Sequence, residues 1–382
     1  MNKFPIKNPK PDFDEFIQIL KGVKTSSRVP FAEFWIDEEI KKIIIEKYFN
    51  EKNIPPPSTF FSIGKNNITS EEKEGSKSYY KQLVNFWKKM GYSFFVDDKY
   101  LIDFMTLFNE TLSVSKDNSI YSKGQRAWAQ EGTAIIKTFD DFEKFPWEKT
   151  KFLLSEFEEH LDFISKIIPD GIKIAVTGSL FEQIMERVLG YMNFFYLTHD
   201  QPTLVESVVN KIGQIMYDLF SIVVAREEVG ILLLSDDLGY KTSTIISLEH
   251  LRKWFFPWYI KYSSIAHKYN KQIWYHCCGY KYEIVQDLIN NIEIDAIHGF
   301  EESCSPVIEF KKRYGTKIGI LGGVDIDKLV RLNRKDLLKY VNDILEACMK
   351  GNRFALGSGN SFCNYIPIEN YFLMIEAGLN WT

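Results

Sequence analysis

The chain has 382 residues, 45% hydrophobic and 26% charged, with a formal net charge of −4, a globular composition without a basic stripe for nucleic acid. The N-terminal stretch MNKFPIKNPKPDFDEF has no apolar core of signal-peptide length, and no apolar run reaches the roughly 18 residues of a membrane span. Five scattered cysteines, an odd number, argue against a disulfide framework and for a cytoplasmic protein with reduced thiols.

In chain order, the segment to about residue 25 is expected to form a helix that covers one end of the fold. Short β-rich runs follow at PFAEFW (30–35), SFFV (93–96), IKIAV (172–176) and ILLLS (231–235). Four more are QIWYH (272–276), IDAIH (294–298), KIGIL (317–321) and RFALG (353–357). Amphipathic helical segments lie between them, among them EEIKKIIIEKYF, KSYYKQLVNFWKKM, LVESVVNKIGQIMYDLFSIVVAREE and RKDLLKYVNDILEACMK. Such alternation is the pattern of a parallel sheet with crossover helices, and eight strands predict a single-domain α/β chain, a (β/α)8 TIM barrel over 1–382. An open doubly wound sheet is the competitor, weakened because no Gly-rich dinucleotide loop follows any strand. Residues 97–171, between strands 2 and 3, are a long insertion with little helical period around YSKGQRAWAQEGTAIIKTFDDFEKFPW, which predicts a lid or pocket wall.

A barrel places chemistry at the C-terminal ends of its strands. Those ends carry Glu33, Asp97 with Asp98, Gly178 with Ser179, Asp236 with Asp237, His276 with Cys278, His298 with Glu301 and Glu302, Asp325, and Ser358 with Asn360. Polar loops at strand ends account for about half of these without any function. They do not account for a His and a Cys two residues apart in WYHCCGY (274–280). Side chains alternate along a strand, so His276 and Cys278 face one way and Cys277 the other. Imidazole and thiolate suit zinc, but a catalytic zinc takes three protein ligands. Third-ligand candidates are Cys363, Asn360, Cys304, Glu301, His298 and Asp237. Two other readings stay open: a buried Cys pair beside a backbone-bonded His, and a nucleophilic thiol with His as base.

Most of the chain, from about residue 28 onward, resembles the uroporphyrinogen decarboxylase superfamily, and within it the zinc-dependent corrinoid methyltransferases. The resemblance rests on RVPFAEFWID, GSLFEQIMERVLGYMNFF, LLLSDDLGYKTSTIISLEHLRKWFFPWY, HCCG, ILGGVDIDKL and GSGNSFCNYIPIENYFLMIEAG, in that order. It implies a (β/α)8 barrel, and zinc held by the His-x-Cys pair and a further Cys near the last strand. The zinc would activate a thiol, or another methyl acceptor or donor, against methylcobalamin. Two departures stand out. AEFWIDEE replaces the arginine-rich motif that a porphyrinogen decarboxylase needs for its polycarboxylate. Asn360 stands where the third family cysteine is expected, with Cys363 displaced by three.

The leading expectation is therefore a zinc-dependent methyltransferase. His276 and Cys278 are its metal ligands, with a third from Cys363, Glu301 or Asp237. Asp236, Asp237 and Glu33 would orient the substrate or shuttle a proton, and Trp128, Tyr240 and Asn360 would bind it. No cobalamin-binding Asp-x-His-x-x-Gly element is present, so a corrinoid (cobalamin) would arrive on a partner protein, and aromatic residues such as Trp128 and Trp147 would form its docking rim or a pocket for a small methoxylated substrate. The alternatives are a decarboxylase-type lyase acting on a non-porphyrin substrate and a metal-free binding protein on the same barrel.

Overall fold

The structure, a computed structural model, describes residues 4–57, 70–107, 112–122, 125–129 and 134–381. Its strands are β1 (Phe94–Asp97), β2 (Leu112–Lys116), β3 (Gln125–Ala129), β4 (Lys173–Gly178), β5 (Val229–Ser235), β6 (Gln272–His276), β7 (Ala296–His298), β8 (Gly319–Leu321) and β9 (Phe354–Ala355). Seven of them form one parallel sheet in the order β1-β4-β5-β6-β7-β8-β9. Neighbours in the sheet are neighbours in this series because each crossover carries its helix back to the next strand, the βαβ rule applied repeatedly.

The strands are apolar on both faces, as strands covered on both sides must be. Phe94, Ala175, Leu233, Trp274, Ala296, Leu321 and Ala355 share one buried cluster, which also contains Ala32 and Phe34. The alternate residues, such as Phe95, Val176, Leu232, Tyr275, Ile297 and Phe354, join a second, larger cluster with the helices. Every strand of the sheet thus faces inward on one side and toward helices on the other. That is a sheet curled around its own core.

The run expected as the first strand departs from expectation. It makes single parallel bridges, Phe31 to Leu356 and Ile36 to Phe362, in place of a ladder. Ala32 N–H donates to Leu356 O at 2.9 Å and Leu356 N–H to Pro30 O at 2.8 Å. Pro30 has no N–H to donate and stands at the start of this pairing, a position where a strand tolerates proline. The hydrogen-bonded sheet among the described residues therefore has seven strands, with the 30–36 segment laid against β9. Across the interior the Phe34 ring meets that of Phe94 at 5.4 Å.

Helix α1 (Phe13–Leu20) is capped by Asp12, whose carboxylate accepts Glu15 N–H at 2.9 Å. Its Phe13, Phe16 and Leu20 enter the inner cluster. Its neighbours are strand beginnings: Asp12 N–H reaches Ser93 Oγ at 3.1 Å, and Arg353 N–H reaches Ile19 O at 3.1 Å. Helix α1 therefore lies at the end of the sheet where the strands begin, and the opposite end is left for chemistry. The 97–171 insertion is more regular than its sequence predicts. It holds helices Lys99–Thr106, Phe139–Lys144 and Lys149–Ile164 and the antiparallel pair β2 and β3. The middle helix opens with a Thr138/Asp141 capping box, a signal present in TFDD. Tyr121 Oη donates to Ile366 O at 3.0 Å and accepts Ile368 N–H at 2.7 Å, which ties the insertion to the loop after β9.

Candidate metal centre

The inward stripe of each strand continues past its end. On β5 the series 231, 233, 235 leads to Asp237; on β6, 272 and 274 lead to His276 and Cys278; on β7, 296 leads to His298. Parallel register sets Ser235 beside His276 and His276 beside His298. The residues that meet at this end are those that alternation aims there.

Asp237, His276 and Cys278 offer an oxygen, a nitrogen and a sulfur that lie within 4.8 Å of one another. Cys278 Sγ is 3.4 Å from His276 Nε2, and Asp237 Oδ1 is 3.9 Å from the same nitrogen. Tetrahedral zinc with bonds of about 2.0–2.3 Å sets its donors roughly 3.3–3.7 Å apart, so the set fits zinc with small adjustments. The Asp237 side chain is 35% exposed while that of His276 is 7% exposed, so the cluster is buried behind and open in front. Asp237 Oδ1 is held by Cys278 N–H at 2.6 Å, and Asp237 N–H donates to Glu182 Oε1 at 3.1 Å. The turn between ligand and loop needs glycine: Gly279 has φ +74°, and a Cβ there would lie 2.5 Å from Gly239 O.

Burial sets the protonation of the cluster. Burial and the Asp237 charge push the Cys278 thiol well above its ordinary value. Desolvation raises Asp237, and desolvation with the Asp237 charge raises Glu182 well above the carboxylate range. Burial lowers His276 to about 3 and keeps it neutral, and it lowers His298 as well. A metal ion bound here would have to displace protons from the Cys278 thiol and the Asp237 carboxyl, while the neutral imidazole is ready to donate its lone pair.

The other expected site residues fall into different places. Asn360 is at the cluster, its Nδ2 donating to Cys278 Sγ at 3.1 Å. Cys363 is not: its thiol is aimed at Ser361 O, 3.4 Å away, and it lies outside the three-donor group. Glu301 also lies outside it, receiving weak contacts from Ser303 Oγ at 3.5 Å and Cys304 Sγ at 3.7 Å. His298 Nδ1 lies 2.7 Å from His276 Nδ1, behind the Nε2 that faces Asp237 and Cys278. Cys277 is fully buried in the layer under the helices, as alternation requires. Asp236 is fully buried and spent on structure, accepting from Ser179 Oγ (2.7 Å), Leu180 N–H (3.0 Å), Glu182 N–H (3.1 Å) and Tyr259 Oη (2.6 Å). Glu33, on the outward parity between Ala32 and Phe34, is fully buried against Ser358, and burial raises it to about 8. Tyr240 is 63% exposed on a turn. Trp128 lies on β3, opposite Ser113, and its side chain falls outside the described residues. Trp147 packs within the insertion, Nε1 donating to Phe142 O at 2.8 Å.

Sequence reasoning missed Glu182 and Lys281. Glu182 sits four residues past β4 in GSLFEQ, one helical step beyond the strand end where candidates were sought. Lys281 is fully buried, its ammonium donating to Gly279 O at 3.2 Å and to Gly299 O, and burial lowers its basicity. A lysine in GYKYE reads as a solvated loop cation, and no sequence signal marks it as buried.

No protein-family model and no curated protein matches this chain. Solved structures do. A methyltransferase from Methanosarcina mazei superposes with a TM-score of 0.64 at 13% identity, over 96% of this chain and 97% of that one. A B12-independent methionine synthase from Shewanella sp. W3-18-1 superposes with a TM-score of 0.50 at 10% identity, over 92% and 97%. At these identities the likeness is one of fold, and it spans nearly the whole of each chain.

Proposed function

We propose that the chain is a zinc-dependent methyltransferase on a closed (β/α)8 barrel, the 30–36 segment completing the ring of strands. The observation that carries this reading is the convergence of Asp237, His276 and Cys278 at the open end of the curled sheet. The full-length likeness in fold to a methyltransferase supports it. In this reading the third ligand is Asp237 at the end of β5, and the position of the missing cysteine is taken by Asn360. These residues would hold zinc, which when bound would supply a Lewis acid able to lower the pKa of a substrate thiol or to polarise a methyl-bearing oxygen.

The chain's own residues do the rest. Asn360 Nδ2–H on Cys278 Sγ draws charge from the sulfur, which would donate less to a bound metal and leave that metal the better electron-pair acceptor. The Cys278 N–H bond fixes the Asp237 carboxylate, and Glu182 fixes the backbone that carries it. Trp35 packs edge-on against the His276 ring at 5.0 Å and helps to fix its plane. The exposed side of Asp237 leaves the front open to a small thiol or methoxylated substrate. In this reading the methyl donor or acceptor would be a corrinoid carried by a partner protein.

The test is spectroscopic. Zinc-loaded protein is mixed with methylcobalamin and a panel of small thiols. Transfer of the methyl group to sulfur leaves the bonding electron pair on cobalt, so Co(III) becomes Co(I) and its spectrum changes. Spectra that stay unchanged with every thiol, and with methoxy compounds plus reduced cobalamin, would refute the corrinoid reading.

A further inference from the structure

We propose that His298 is a positioning residue that sets the tautomer of His276, leaving Nε2 as a bare lone pair directed at Asp237 and Cys278. The argument starts from an atom that can only accept. Ser358 O lies 3.1 Å from His298 Nε2, so the proton of that bond sits on His298 Nε2. A neutral imidazole with Nε2 protonated has a bare Nδ1. That nitrogen is 2.7 Å from His276 Nδ1, which must therefore carry the shared proton. His276 Nε2 is then bare by elimination, with Cys278 Sγ at 3.4 Å and Asp237 Oδ1 at 3.9 Å in front of it.

The surroundings hold this chain in one geometry. The Phe34 ring stacks on His298 at 4.1 Å and 13°. Ser358 is pinned by Glu33, which accepts its backbone N–H at 3.3 Å and also its hydroxyl. The line Glu33–Ser358–His298–His276 thus runs from the 30–36 segment through the loop after β9 to β7 and β6. A metal-binding imidazole commonly donates its second N–H to a carboxylate or carbonyl. Here a second imidazole stands between ligand and carbonyl and relays the same instruction one strand further.

The consequence for metal rests on the zinc reading above, but the tautomer itself does not, and the experiment separates them. Metal-free protein labelled with 15N in its six histidines is examined by long-range proton–nitrogen correlation. The expected result is a single His276 tautomer, protonated at Nδ1 and bare at Nε2. A His276 protonated at Nε2 would overturn the proposal whether or not zinc binds. In His298→Leu the acceptor is gone, and His276 should lose its single tautomer, with zinc affinity lower by roughly 10- to 100-fold. In His298→Gln the amide oxygen can accept from His276 and the amide N–H can donate to Ser358 O, so affinity should return to within a few-fold of the parent. Unchanged affinity in a folded His298→Leu protein overturns the proposal while leaving the zinc site standing. If His298→Leu does not fold, the parent tautomer and the Gln variant decide. A parent that binds no zinc refutes the metal reading alone.

Discussion

Asp237 Oδ1 accepts the backbone N–H of Cys278 at 2.6 Å while standing 3.9 Å from His276 Nε2. In the proposed site one carboxylate thus braces the Cys278 loop and would also be a ligand itself. Asp237→Asn keeps the shape and removes the charge. Its zinc affinity should fall by more than the roughly 10- to 100-fold seen for outer partners, measured by competition with a chromophoric chelator. Retention of parental affinity would remove Asp237 from the site.

The cysteines should separate cleanly. Cys278→Ser is expected to lose zinc, whereas Cys277→Ser and Cys363→Ser should keep it, because one thiol is in the core and the other is aimed at Ser361 O. Zinc content after dialysis, with circular dichroism as the fold control, checks this. Loss of metal in Cys363→Ser would bring back the ligand the resemblance implies.

Much of this was legible in the sequence. Alternating strands and helices gave the parallel sheet, and period-two facing put His276 with Cys278 and turned Cys277 away. The third donor was legible only as one of several candidates, since which strand ends adjoin depends on register: Ser235 beside His276 is what delivers Asp237. Asp236 shows the limit more sharply. It is one residue from a proposed ligand and chemically identical, yet its carboxylate anchors the start of the helix after β4, and only the opposite parity distinguishes the two. Lys281 could not be found at all, because its buried ammonium depends on the carbonyl of Gly299, which lies on a different strand end.

Asp236→Ala should accordingly act on stability. It strands two backbone N–H groups and two hydroxyls in the interior, a loss of about 3 kcal/mol or more. Urea unfolding would show it as a lower midpoint. A variant of parental stability that is inactive would restore Asp236 to a catalytic role.

Zinc binding should release protons. The Cys278 thiol is raised well above its usual value and so is protonated at pH 7 without metal. It must deprotonate to bind, so affinity should rise with pH through the neutral range. Calorimetry in buffers of different ionisation enthalpy should find about one proton or more released per zinc. No buffer dependence would mean that the thiol is not a ligand.

The buried Asp97–His160 contact, 2.7 Å between Oδ2 and Nε2, links β1 to helix Lys149–Ile164. His160 and other neighbours hold Asp97 below its ordinary value against the cost of burial. A carboxylate whose folded value is depressed contributes stability above its unfolded value of about 3.9, and loses it as pH falls through the lower folded value. Asp97→Asn should therefore be less stable than the parent at pH 7, and the gap should narrow below about pH 4. A gap that stays constant with pH would show that the charge is not involved.

The central claim is a zinc ion held by one sulfur, one imidazole and one carboxylate. X-ray absorption at the zinc edge of metal-replete protein tests it most directly. The account predicts one sulfur at about 2.3 Å and nitrogen or oxygen neighbours at about 2.0–2.2 Å. Two or more sulfurs would bring in a second cysteine in place of Asp237, and a protein that takes up no zinc, or zinc with no sulfur in its shell, would contradict the site altogether.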